Sequence, residues 1–281
     1  MFFSAVVRCE LRPSTPLLPL KPGVSGNLNP ESHLRAYFET LYSVWGRQHW
    51  WPAQSRFEVV VGAYLTQNTS WTNVEKALAN LRRARRLTVR GIREIPLPAL
   101  ERLIRPAGYF RQKARRLKTF VRFLDRQYGG SLQRMFSEPT PALRAELLAL
   151  NGVGPETADS ILLYAGSHPV FVVDAYTRRV LERHELSGVR ARYDEIRELF
   201  ERALVPLAST AVPEIVSDSG MNDRHPRGSS HPPSPMSVAP RSALAQIFNE
   251  MHGLIVGVGK NYCLKSQMRC EQCPLQKFLP G

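Results

Sequence analysis

The chain has 281 residues, 43% of them apolar, which is enough to bury one large core or two modest ones and excludes a disordered chain. Lys and Arg total 38 against 24 Asp and Glu, and a net charge of +14 suits a polyanionic partner, with nucleic acid ahead of anionic membrane. No apolar stretch approaches the ~20 residues that span a bilayer, and the short run Phe2 to Val7 has no basic residues ahead of it, so the expectation is a soluble intracellular protein.

In chain order, residues 1–30 carry five prolines with little periodicity and read as a flexible tail. Residues 31–46 repeat apolar groups at three- and four-residue intervals (Leu34, Tyr37, Phe38, Leu41, Tyr42, Trp45), with Ser32 placed to cap a helix. Phe57 to Leu65 is nearly all apolar, as a central buried helix would be, and Trp71 to Leu81 returns to an amphipathic period. Further helices are predicted over Pro98–Ile104, Arg111–Tyr128, Ala142–Leu150, Glu156–Ala165, Tyr176–His184, Tyr193–Val205 and Leu244–Val256. Between them, residues 209–241 cluster Pro, Ser and Gly without an apolar stripe and read as a disordered insert. Its His225 and His231 are then solvated linker residues, with metal ligation as the alternative. The single strand-like run, Val170–Val173, is too isolated to found a sheet, so the fold class is all-α.

Charge is concentrated. From Arg82 to Arg122 there are fourteen Lys or Arg and only two acids, Glu94 and Glu101, a local balance of +12. A solvated helix face interleaves both signs, so this stretch points to a phosphate-facing surface.

Leu147 to Asp159 places a helix end, the turn Gly152-Val153-Gly154 and a new helix start in succession, with Pro155 early in the second helix: a helix-hairpin-helix. Glycines there allow positive φ and leave backbone N–H groups open to a phosphate. Asp174 follows four apolar residues and opens a helix. It is either an N-cap or a carboxylate at the edge of a poorly hydrated site that stabilises a developing cation, and one residue can be both. Trp50-Trp51-Pro52 and Trp71 read as core aromatics or as flat faces for a planar base. Cys263, Cys270 and Cys273 fall within eleven residues, which argues for a metal or iron-sulfur loop over a disulfide scaffold.

Four ordered segments, Leu65–Thr69, Ile104–Ala114, Leu150–Ala158 and Val173–Val180, resemble the signatures of the endonuclease III (helix-hairpin-helix) superfamily of DNA glycosylases over about residues 32–275. The resemblance implies two helical domains flanking a cleft, a six-helix barrel at 48–168 and a second domain from 31–47 plus 169–281. It implies that Asp174 is the catalytic aspartate, that Gln67 enters the gap left by a flipped nucleotide, and that Asn68, Lys113, Gly152, Val153, Gly154 and Thr157 contact double-stranded DNA.

Glu156 departs from the bifunctional members, which place there a lysine that attacks the sugar; a carboxylate cannot form that imine. Glu156 and Asp174 are thus the catalytic candidates of a monofunctional enzyme. Trp50, Trp51, Pro52 and Trp71, with Gly154–Ser160, resemble the bacterial 3-methyladenine DNA glycosylase branch, in which these aromatics form the base pocket, Trp50 and Trp71 as the stacking pair. An alkylated purine already carries positive charge, so one carboxylate and a positioned water suffice.

The cysteine spacing matches three positions of the family's [4Fe-4S] site, but Leu279 stands where a fourth cysteine is expected. The loop holds a cluster with an outside ligand (His252 or Cys9), an incomplete cluster, or none. The overall expectation is a monomeric, cytoplasmic, nucleoid-associated base-excision glycosylase acting on alkylated purines. The alternatives are a glycosylase for another lesion and a noncatalytic DNA-binding protein.

Overall fold

The computed structural model describes residues 29–188, 190–210 and 231–280; the expectations for the N-terminal tail, Cys9 and His225 lie outside them. Helix α1 (Pro30–Trp45) starts one residue earlier than the periodicity suggests. Its cap is Asn29, whose side chain accepts the Ser32 N–H at 2.8 Å, so Ser32 sits inside the first turn and is not the cap. Pro30 needs no donor partner at that position and fixes a helical φ.

Helix α2 (Arg56–Thr66) is buried continuously from Phe57 to Leu65, as its unbroken apolar run requires. Around it lie α3 (Trp71–Arg83), α4 (Val89–Glu94), α5 (Leu97–Leu103), α6 (Phe110–Tyr128), α7 (Leu132–Met135), α8 (Thr140–Leu148) and α9 (Pro155–Ser160), the last continuing into a π turn at Ile161–Ala165. α2 packs on α3, α6 and the π turn, while α4 and α5 pack on α6. The short helices α4 and α7 have too few turns to display a period in the sequence.

An extended, fully buried segment, Val170–Val173, then delivers Asp174 to the start of α10 (Ala175–Arg183). It pairs with no strand, and the described residues hold one isolated bridge, Cys263 with Met268. Among the described residues α11 (Tyr193–Leu204), the short α12 (Leu207–Thr210) and α13 (Ala243–Asn261) follow, and α13 packs against α1, α10, α11 and the π turn. The molecule is thus all-α with two helical domains, and α13 touches elements of both. No helix among the described residues is long and apolar enough to cross a membrane.

The hairpin is clamped from below. Arg144 on α8 donates to both Asp159 oxygens on α9, at 2.7 and 3.1 Å, and to Asp194 on α11 at 2.9 Å. Asp159 is completely buried, so this bidentate pair sets the angle between the hairpin's helices and docks them on the second domain.

The insert expected at 209–241 is corrected in its last part. Residues 231–241 are packed, with Ser234, Met236 and Ser237 buried against the segment that carries Trp50. Small polar side chains that satisfy one another, as Ser234 and Ser237 do, look like linker composition in a sequence yet can be buried at little cost.

Candidate active site

Asp174 caps α10. Its Oδ1 accepts the Thr177 N–H at 2.8 Å and the Thr177 hydroxyl at 3.0 Å, while Oδ2 lies 3.6 Å from His252 Nε2 on α13. Burial pushes the carboxyl's pKa up, but His252 and the two Thr177 donors outweigh it and hold Asp174 below the usual carboxylate value. His252 is fixed in turn by a 2.8 Å hydrogen bond between Nδ1 and the Tyr164 hydroxyl, which is buried in the π turn.

The aromatic cluster adjoins this pair. Trp50 lies 5.8 Å from the His252 ring and 5.5 Å from Trp51, and Trp51 meets Trp71 edge-on at 5.0 Å. α13 can approach because residue 253 is glycine: a Cβ there would meet Gln48 Cβ at 2.9 Å and Trp50 Cβ at 3.2 Å. Trp50 and Trp51 are buried, whereas Trp71 and Pro52 are half-buried. Trp50 is also covered by Lys260, whose Nζ stands 5.7 Å from the ring centroid. The expected stacking pair, Trp50 and Trp71, is therefore bridged by Trp51, with Trp50 enclosed in the wall and Trp71 the more open face.

Glu156, at the start of α9, is solvent-exposed but shares the electrostatic environment of Asp174 and His252. The surrounding protein, and then the Asp174 charge, raise its carboxyl to about 7. Two carboxyls in one site are thus driven apart, one held ionised and one titrating near neutrality.

The hairpin residues divide. Gly152 has φ +79, a conformation strained for any residue with a Cβ, and Arg116 fills the space beside it, so glycine is strongly favoured. Gly154 departs from the expected positive φ: it is extended, with φ −94, and its open surroundings leave the start of α9 uncovered. Val153 is corrected as a DNA contact, because its side chain is buried and its N–H closes the turn on Leu150 O. Thr157 is buried, with Oγ1 accepting from Gln67 Nε2 at 2.9 Å. Gln67 also donates to Gly152 O at 2.9 Å and accepts from Arg116 at 2.7 Å, so its amide is fully engaged in the unbound protein. Asn68 is exposed in a left-handed conformation.

Lys113 is corrected outright. It is 1% exposed, and its ammonium donates to Leu65 O at 2.9 Å and Ala107 O at 2.8 Å, satisfying carbonyls near the end of α2 and after α5. Burial lowers its pKa to about 8. The basic stretch is thinned further by internal pairing of Arg82 with Glu58, Arg90 with Glu94 and Arg93 with Asp125. Arg105, Arg111 and Arg115 remain exposed.

In the cysteine loop, Cys263, Cys270 and Cys273 are half-buried and form no disulfide among the described residues. Burial, together with the neighbouring Cys263 and Cys270 thiols, raises Cys273 to about 11. The expected outside ligand His252 is committed to Tyr164 and Asp174, Leu279 brings no donor, and no metal-holding group of three or more His, Cys, Asp or Glu is found among the described residues. Among the described residues these donors do not complete a four-ligand cluster site. The loop is instead tied to α10, where Arg183 donates to Cys263 Sγ at 3.1 Å and to Leu264 O at 2.8 Å, and Arg179 donates to Cys263 O at 2.6 Å.

Residues 61–206 match the HhH-GPD superfamily of base excision DNA repair proteins. The chain belongs to this family. A candidate DNA repair glycosylase of Methanocaldococcus jannaschii is 40% identical over 86% of this chain and 93% of its own length. Mouse endonuclease III-like protein 1 is 27% identical over 82% of this chain, which spans 61% of that protein. Among solved structures, the Helicobacter pylori 3-methyladenine DNA glycosylase bound to 1,N6-ethenoadenine aligns with TM-score 0.64 and 28% identity, covering 83% of this chain and 98% of that one. An endonuclease III–DNA complex aligns with TM-score 0.64 at 20% identity over 89% of this chain and 94% of that one, a likeness of fold. The protein is accordingly a DNA glycosylase of the HhH-GPD superfamily.

The sequence expectations do not include Tyr164, Lys260 or Arg116, and they make His252 an outside cluster ligand and His231 a solvated linker residue or metal ligand, not neighbours of Asp174 and Trp50. His252 lies on a helix buried continuously from Ala245 to Gly259, with Lys260 directly after that run, and an ionisable residue within so long a buried helix is the available signal.

Proposed function

We propose that this glycosylase hydrolyses the N-glycosidic bond of alkylated purines in duplex DNA by a monofunctional route. The observation that carries the reading is the Asp174–His252 pair beside the tryptophan cluster, with a carboxyl instead of an amine at residue 156. A base turned out of the helix is held by aromatic surface, foremost the more open Trp71. As the bond between C1′ and the base nitrogen breaks, its electron pair leaves with the base and the sugar becomes an oxocarbenium, which the Asp174 carboxylate stabilises. Water adds to C1′ and its proton passes to Glu156, a base matched to neutral pH by its raised pKa. The cation on an alkylated purine weakens the bond beforehand, so no strong general acid is needed. The ethenoadenine in the H. pylori structure, itself a modified purine, supports the substrate class.

Exposed Arg105, Arg111 and Arg115, with the uncovered start of α9, serve the DNA backbone. The test is a panel of duplexes, each carrying one modified base, assayed for free base with Asp174→Asn as control. Release of alkylated purines by the parent protein and not by the variant is expected. Release confined to oxidised or mismatched bases would replace the substrate class, and duplex binding with no release would replace the enzyme.

A further inference from the structure

The segment beginning at His231 is built into the aromatic site. His231 N donates to Gln48 O at 3.3 Å, Ala53 N donates to Ser234 Oγ at 3.2 Å, and Met236 N donates to Ala53 O at 3.1 Å. These bonds run the 231–236 segment alongside residues 48–53, the stretch that presents Trp50 and Trp51. Farther on, Arg241 turns back to donate to Met236 O at 2.6 Å, closing the segment on itself.

This placement seats the His231 imidazole on Trp50, with ring centroids 5.7 Å apart. Lys260 stands over the same indole at 5.7 Å, and Trp50 also touches the ring of His252, the partner of Asp174. Burial and the Lys260 charge both lower the His231 pKa, so the ring is neutral at physiological pH. Its Nε2 is shielded from solvent and has no hydrogen-bond partner among the described residues. A buried polar atom without a partner is costly, and a site that binds a polar ligand is where such a cost is recovered.

Indole faces select for flat, electron-poor rings but do not distinguish one ring edge from another. A neutral imidazole carries one donor and one acceptor nitrogen and can pair with a ring nitrogen or an exocyclic group. We infer that His231 reads the hydrogen-bonding edge of the extruded base, making the segment after residue 230 a determinant of which modified purines are released. The inference rests on the glycosylase reading above and extends it, since a hydrogen bond to a base edge discriminates more sharply than apolar packing.

The experiment measures single-turnover release from the lesion panel by the full chain, His231→Ala and His231→Gln, alongside melting temperature and binding to a duplex with an abasic site. His231→Ala should slow release of the parent's preferred base about tenfold while changing the others less than about twofold, with abasic-site binding and melting unchanged. His231→Gln, which keeps a donor and an acceptor, should recover part of the loss. Unchanged rates, or an equal loss for every base with lowered melting, would overturn the inference and leave the glycosylase intact. Absence of release by the parent protein would overturn both.

Discussion

His252 Nε2 stands 3.6 Å from Asp174 Oδ2, while its Nδ1 shares a hydrogen bond with Tyr164, so a histidine on α13 is held with one edge toward the carboxylate. When protonated it favours the ionised Asp174, and its removal raises the Asp174 pKa. For His252→Gln we expect slower base release, by about tenfold at neutral pH, and an acid limb of the single-turnover pH profile moved to higher pH. A uniform loss with an unshifted acid limb would reduce His252 to a packing role.

Glu156 titrates near 7, and a general base acts in its ionised form. Base release should therefore rise with pH through about 7, and Glu156→Gln should flatten that limb while sparing duplex binding. Borohydride should trap no covalent DNA adduct in the parent protein. Lys260→Ala is the informative companion, because that amine lies in the same electrostatic environment as Asp174; trapping that it abolishes would assign a lyase to Lys260.

Lys113 sits on the buried face of α6 with Ala114, Leu117, Phe120, Val121 and Leu124. Lys113→Ala leaves Leu65 O and Ala107 O without their donor and should cost about 1–3 kcal/mol in denaturant unfolding. The slope of log binding constant against log salt should stay unchanged, whereas Arg111→Ala should lower it by about one if Arg111 contacts phosphate.

Glu250 is completely buried on α13, and burial raises it to about 7 although Gln48 N–H, Gln246 and the Arg47 and Arg241 charges all favour its ionised form. Because its folded pKa exceeds the unfolded value, its contribution to stability is fully present below about pH 4.5 and is lost as pH rises through about 7. Unfolding free energy should fall by about 2–3 kcal/mol more in the parent than in Glu250→Gln between pH 5 and 8. Parallel pH profiles for the two proteins would refute it.

The cysteine loop is held by Arg179 and Arg183, and among the described residues its donors number fewer than the four a cluster needs. Purified protein should lack a stoichiometric [4Fe-4S] cluster, read by iron analysis and visible charge-transfer absorption, and Cys270→Ser should melt as the parent does. Four irons per chain would restore the cluster and demand a ligand beyond the three cysteines.

The sequence by itself determined the helical class, the hairpin turn and the capping position of Asp174, because each rests on local rules: apolar spacing, a glycine at positive φ and a carboxylate before a helix. It also held the signal that Lys113 is buried, since that residue falls in the apolar register of α6, a periodicity that the local excess of positive charge masks. Tertiary structure alone decided which groups meet Asp174. His252 is 78 residues away in the chain, and its ring reaches the carboxylate only because α13 packs against α10. The same holds for His231, whose polar, proline-rich surroundings give no sign that Trp50 lies beneath it. Electrostatic and packing partners depend on distance in space, and composition reports only neighbours along the chain.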